Sequence, residues 1–178
     1  MKNSEKQHCP FDLIRLFNQT FEQVYRTRLV LGEHEPLYVP AKQADEYHQI
    51  IFAHGFFSSA LHEIAHWLIA GEQRRQLVDY GYWYEPDGRN EQQQQLFEKV
   101  EVKPQALEWI LSKACAYRFQ LSVDNLHQPY WDTGPFRAAV LQQIEAYCET
   151  GLPERAARLR HAMCRFYKTP YELNINDF

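Results

Sequence analysis

Residues 58–71, SSALHEIAHWLIAG, set the architecture of this chain. Leu61, Ile64, Ala65, Leu68 and Ile69 recur at three- and four-residue spacing, Ser58 or Ser59 offers an N-cap and Gly71 a stop, which predicts an amphipathic helix. Inside it, His62-Glu63-Ile64-Ala65-His66 forms an H-E-x-x-H motif. Four residues of α-helix turn through about 400°, leaving the two imidazoles about 40° apart and one turn displaced, within reach of a single ion. Glu63 then stands beside the ion rather than on it. With 8 His and 16 Glu among 178 residues, random order gives about 0.03 such motifs. A buried helix with two hydrogen-bonded histidines is the plainer alternative; a metal site is the better-supported one.

A two-histidine site needs a third protein ligand. Glu98 and Glu101 share a helix face at i, i+3 in the next helix-forming segment. Glu101 is preferred because it stands just before Pro104 and the run Ala106 to Ala114, whose helix is expected to pack on the histidine helix. Glu98 is then left to a supporting role or to solvent. Two chemistries share this donor set. With zinc, Glu63 would act as general base on bound water; with Fe(II), two histidines and a carboxylate leave positions open for O2. Spacing alone does not choose between them.

Outward from this helix the chain reads as α+β. Pro10 opens a helix over about 10–26 with Leu13, Phe17, Phe21 and Val24 as its stripe. Leu29–Leu31, Leu37–Val39 and Ile50–Ala53 are short β-prone runs, so helices packed around a small mixed sheet are expected, with the H-E-x-x-H helix central in a zincin-like arrangement. Strand Ile50 to Ala53 is also a candidate to accept an extended peptide by edge pairing. From Asn90 to Ala114 the pattern predicts either two helices or one kinked at Pro104. A loop over roughly 119–134 precedes helices Pro135–Thr150 and Pro153–Tyr167. The length predicts one domain spanning 1–178.

Composition bounds the function. A net charge of -4 removes the broad electrostatic footprint of a nucleic-acid binder, and 45% apolar with 15% aromatic residues suffices for a dense core. The opening MKNSEKQHCPFDLIRLF has no signal-peptide pattern, and no run of about 18 apolar residues occurs. Cys9, Cys115, Cys148 and Cys164 match no zinc or redox spacing. A cytoplasmic protein with reduced thiols and no membrane association is expected.

Tyr80, Tyr82 and Tyr84 alternate with Gly81 and Trp83 and stand among Asp79, Glu85 and Asp87. They read as an aromatic edge strand followed by a turn, and as an acidic, aromatic wall for a cationic substrate; ordinary strand packing explains the same residues equally well. Arg155, Arg158, Arg160, Arg165 and Lys168 make the last helix locally basic, which a solvated face explains better than a docking site. Asp124, His127 and Asp132 fall in the loop and form at most a scattered acid-base set. Serine-hydrolase, dinucleotide and Walker motifs do not occur.

The blocks IIFAHGFFSSALHEIAHWLIAGEQRRQLVDYGYWYEPDGR, FEKVEVKPQALEW and GLPERAARL resemble the bacterial elongation factor P hydroxylase family, from about residue 29 onward. The resemblance implies an oxidoreductase that hydroxylates the β-lysylated lysine of elongation factor P, with the family's metal motif on His62 and His66 and its carboxylate on Glu101. It implies Fe(II), with zinc as the alternative metal, O2 as cosubstrate, and a fold similar to that of a small metal-dependent ribonuclease. Glu63 then orients a ligand or meets the substrate, and Asp79, Tyr82, Glu85 and Asp87 become candidates to receive its positively charged arm.

Overall fold

The computed structural model describes residues 8–82, 88–123 and 132–178. Its elements run α1 (Pro10–Tyr25), β1 (Thr27–Leu31), β2 (Leu37–Val39), β3 (His48–Phe52), α2 (Phe57–Ile69), α3 (Glu91–Ala114), α4 (Gly134–Thr150) and α5 (Glu154–Tyr167), with short 3-10 turns at 74–76, 78–81 and 175–177. The fold is α+β: a three-stranded mixed sheet with helices around it.

The sheet order is β1-β3-β2, β1 parallel and β2 antiparallel to β3. β3 is therefore central, and both its edges are already paired, which removes the expected peptide-accepting edge. The outer edge of β1 is met at one point by α1, where Leu29 N–H donates to Asn18 Oδ1 at 2.8 Å. After β3 the chain reverses through His54 (φ 51°) and Gly55 (φ 71°), two successive left-handed residues that swing α2 back against the sheet.

Helix α2 starts at Phe57, one residue before the first expected serine cap. Ser59 does not cap it; the hydroxyl accepts from Ala53 N–H at 3.0 Å and ties the helix to the turn. Trp67 anchors the other side of α2. It is fully buried among Phe17, Phe21 and Tyr25 of α1, with ring centroids 5.1, 4.9 and 5.5 Å away. Leu13, Phe17 and Phe21 carry the expected α1 stripe, with Leu16 beside them, whereas Val24 is exposed.

The Asn90–Ala114 segment is one helix, α3, opened by a capping box in which Asn90 Oδ1 accepts from Gln93 N–H and Asn90 N–H donates to Gln93 Oε1, both at 2.9 Å. Pro104 lies inside it. A proline there removes a hydrogen bond and costs about 3 kcal/mol, but buried residues on both sides, from Phe97 to Leu111, hold the helix together by packing. Cys115 and Cys164 are buried, Cys9 and Cys148 half-buried, and none forms a disulfide. No described helix is long and apolar enough to cross a membrane.

Candidate metal centre

The side chains of His62, His66 and Glu101 converge between α2 and α3 and could hold a metal ion. His62 Nε2 and His66 Nε2 are 3.1 Å apart, His66 Nε2 lies 3.2 Å from Glu101 Oε1, and His62 Nε2 lies 3.6 Å from Glu101 Oε2. Ligand atoms about 2.1 Å from one ion stand roughly 3.0–3.4 Å from each other; the 3.1 and 3.2 Å separations fall in that range and the 3.6 Å one lies just beyond it, close to what a single cation needs. Glu101 is fully buried, and its Oε1, with His66 Nε2 as its charged neighbour, accepts no well-aligned hydrogen bond among the described residues. A buried carboxylate with one oxygen beside each of two imidazole nitrogens is a donor set that a cation would satisfy.

Supporting groups fix these ligands. Glu108 Oε2 is 2.8 Å from His62 Nδ1. A carboxylate only accepts, so His62 carries its proton on Nδ1, which leaves the Nε2 lone pair directed at the centre in the neutral ring. Gln105 Nε2 donates to Ser122 O at 2.6 Å and contacts Glu101 Oε2 at 3.4 Å, while Gln105 Oε1 accepts from Ser122 N–H at 3.1 Å. The amide is thereby locked against Glu101. Neither Gln105 nor Glu108 follows from the H-E-x-x-H motif; their signal is the helical spacing Glu101, Gln105, Glu108, which puts three polar residues on one face of a buried helix.

The charges are coupled. Burial disfavours the His62 imidazolium, yet the hydrogen bond to Glu108 and the charges of Glu108, Glu101 and Glu63 outweigh it, and the pKa rises to about 10. Burial would raise Glu101, but the proximity of His66 and His62 and the Gln105 contact bring it down to about 2. Glu63 is half-buried beside them, and burial pushes its carboxyl above the ordinary range against the pull of both histidines. The Glu63 carboxylate has no hydrogen-bond partner among the described residues.

Glu98 is not drawn into this cluster: it lies a turn earlier on α3, where Gln94 Nε2 contacts its Oε1 at 3.3 Å. The expected edge strand at Tyr80 is replaced by a 3-10 turn over Val78–Gly81 in which Asp79 and Tyr80 are both left-handed. Asp79 Oδ1 accepts from Tyr38 N–H at 2.8 Å, closing the turn onto β2. Tyr80 is buried and stacked 4.3 Å from Tyr38, and its ring is within 12° of parallel to that of His66 at 6.4 Å. Tyr82 is half-buried under the Arg74 guanidinium at 4.2 Å, and both line a cleft of about 900 Å3 that reaches His66. Trp83, Tyr84, Glu85, Asp87, Asp124 and His127 lie outside the described residues. Asp132 Oδ1 accepts from Gly134 N–H at the start of α4, a local turn bond.

A family profile described as Elongation factor P hydroxylase matches residues 16–178. The chain belongs to the elongation factor P hydroxylase family. It is 56% identical over 172 residues, 97% of each chain, to the Elongation factor P lysine hydroxylase of Haemophilus influenzae. This family match begins inside α1 and reaches Phe178, so it takes in most of the first helix, which precedes the resemblance from about residue 29 onward. All three residues of the candidate centre, with Gln105 and Glu108, fall within it.

Proposed function

We propose that this chain hydroxylates the β-lysylated lysine of translation elongation factor P in the cytoplasm, with Fe(II) held by His62, His66 and Glu101 and O2 as cosubstrate. The observation that carries the reading is the convergence of two imidazole Nε2 atoms and the buried Glu101 carboxylate, in a chain of this family. The name of the Haemophilus relative supports a lysine of elongation factor P as the target. Two histidines and one carboxylate are the donor set of non-haem iron oxygenases; held there, iron would activate O2, the oxidant needed to break an unactivated C–H bond, which no side-chain acid or base breaks at neutral pH.

The remaining work falls to the protein. Glu108 holds the His62 proton on Nδ1, and Gln105 aims Glu101. Glu63, with an unspent carboxyl beside both histidines, is placed to take up or release a proton or to meet an ammonium group. Tyr82, on the cleft that reaches His66, and Asp79, Glu85 and Asp87 are proposed to receive the cationic lysyl arm.

The test is incubation of β-lysylated elongation factor P with the purified chain, Fe(II), a reductant and air. The expected result is a mass gain of one oxygen atom on the modified lysine, lost in His62→Ala; no gain under any reductant overturns the reading. A second reading, a zinc-dependent hydrolase with Glu63 as general base, draws on that same raised, unpaired carboxyl. It expects hydrolysis that ignores oxygen and disappears in Glu63→Gln with zinc retained.

A further inference from the structure

Tyr80 is 4% exposed, and its phenol oxygen is fully buried without a hydrogen-bond partner among the described residues. Buried tyrosine hydroxyls ordinarily find a partner, and one that does not lowers stability. Its backbone adds to the cost. Asp79 (φ 47°, ψ 33°) and Tyr80 (φ 60°, ψ 16°) are consecutive non-glycine residues in the left-handed region. Three contacts hold them there: Tyr38 N–H donates to Asp79 Oδ1 at 2.8 Å, Arg74 Nη1 donates to Tyr80 O at 2.9 Å, and the Tyr38 ring stacks on Tyr80 at 4.3 Å. The result lays the Tyr80 ring nearly parallel to His66, with ring centroids 6.4 Å apart. A phenylalanine would fill this place without the unmatched oxygen.

We infer that Tyr80 is a ligand-facing residue of the centre, its hydroxyl hydrogen-bonding to a small oxygen- or nitrogen-donor ligand seated at His62, His66 and Glu101. Hydroxide and small anions bound to a divalent cation keep lone pairs that accept, and a phenol O–H is a donor that can meet them. The inference rests on that centre holding a metal and is independent of which reaction follows.

The test uses the full chain loaded with cobalt(II), whose visible spectrum reports added ligands, and azide as the probe. Tyr80→Phe keeps the ring and its stacking. The expected result is cobalt affinity as in the wild type, azide affinity about tenfold weaker, the worth of one hydrogen bond, and a metal-free melting temperature equal to or above that of the wild type. Azide affinity within about twofold of wild type, or a lower metal-free melting temperature, overturns the inference and leaves the metal centre standing. A wild-type chain that takes up no cobalt overturns both.

Discussion

His62 Nδ1 stands 2.8 Å from Glu108 Oε2, and Glu108 lies two helical turns beyond Glu101 on the same face of α3. Seven residues turn an α-helix through about 700°, roughly 20° short of two full turns, so the two carboxylates are stacked along one line with Gln105 between them. One helix thus supplies both the carboxylate that faces the imidazole Nε2 atoms and the carboxylate that orients one of those imidazoles.

Glu108→Ala is expected to weaken metal binding about 10–100-fold, the usual effect of removing a carboxylate that orients a metal-binding histidine. Glu108→Gln should fall between Ala and wild type, because an amide oxygen still accepts from Nδ1 but carries no charge. Competition against a chromophoric chelator measures both. Unchanged affinity in the alanine variant would show that His62 is held by other means.

Gln105→Leu removes the amide that pairs with both backbone groups of Ser122 and touches Glu101. Leaving those partners unmatched should destabilise the chain by about 1–3 kcal/mol in urea unfolding. Metal affinity should fall as well, because Glu101 loses the contact that aims it. A purely structural glutamine would give the first effect without the second.

Local signals made the histidine helix and the three strands legible: their apolar spacing and breakers lie within a few residues of each other. Glu101 could be chosen over Glu98 because the apolar run after Pro104 belongs to the same helix. Gln105 and Glu108 escaped, although Gln94, Glu101, Gln105, Glu108 and Ser112 form a buried polar stripe at near-heptad spacing on α3. Patterning by hydrophobicity assigns such residues to solvent, whereas here Glu101, Gln105 and Glu108 serve the centre and Gln94 pairs with Arg89 and Val123 O. The turn at Tyr80 escaped for a different reason: its left-handed backbone is held by Tyr38, 41 residues away from Asp79, and no local window contains that bond.

Arg155 shows the same tertiary override. Read as part of a basic face, it instead donates through Nη2 to Ala70 O at 2.6 Å, beside the bond from Arg75 Nη1 at 2.8 Å, and lies 4.4 Å over the Trp67 ring. Two guanidinium groups therefore close the C-terminal end of the histidine helix, where the helix dipole favours cations. Arg155→Ala should lower stability by about 1–3 kcal/mol in chemical denaturation. Arg158→Ala, on the same helix and without a hydrogen bond among the described residues, should stay within about 0.5 kcal/mol of wild type; equal losses in both would remove the special role of Arg155.

The pH dependence of the metal-free chain follows from two groups. His62, raised from 6.5 to about 10, gives stability that is complete below pH 6.5 and is lost as pH rises through 10. Glu101, lowered from 4.5 to about 2, gives stability that is complete above pH 4.5 and is lost as pH falls through 2. Their joint contribution is therefore greatest between pH 4.5 and 6.5. A divalent ion needs the His62 Nε2 lone pair, so its binding expels the proton that His62 holds near neutrality. Calorimetric titration in buffers of different ionisation enthalpy should record about one proton released per ion, with apparent affinity rising about tenfold per pH unit until His62 deprotonates by itself. Glu108→Ala, by removing the largest influence favouring the imidazolium, should reduce both the proton release and the slope. Metal uptake without proton release, or a metal-free melting temperature that climbs from pH 6.5 to 9, would mean that His62 is already neutral and that Glu108 holds it by geometry alone.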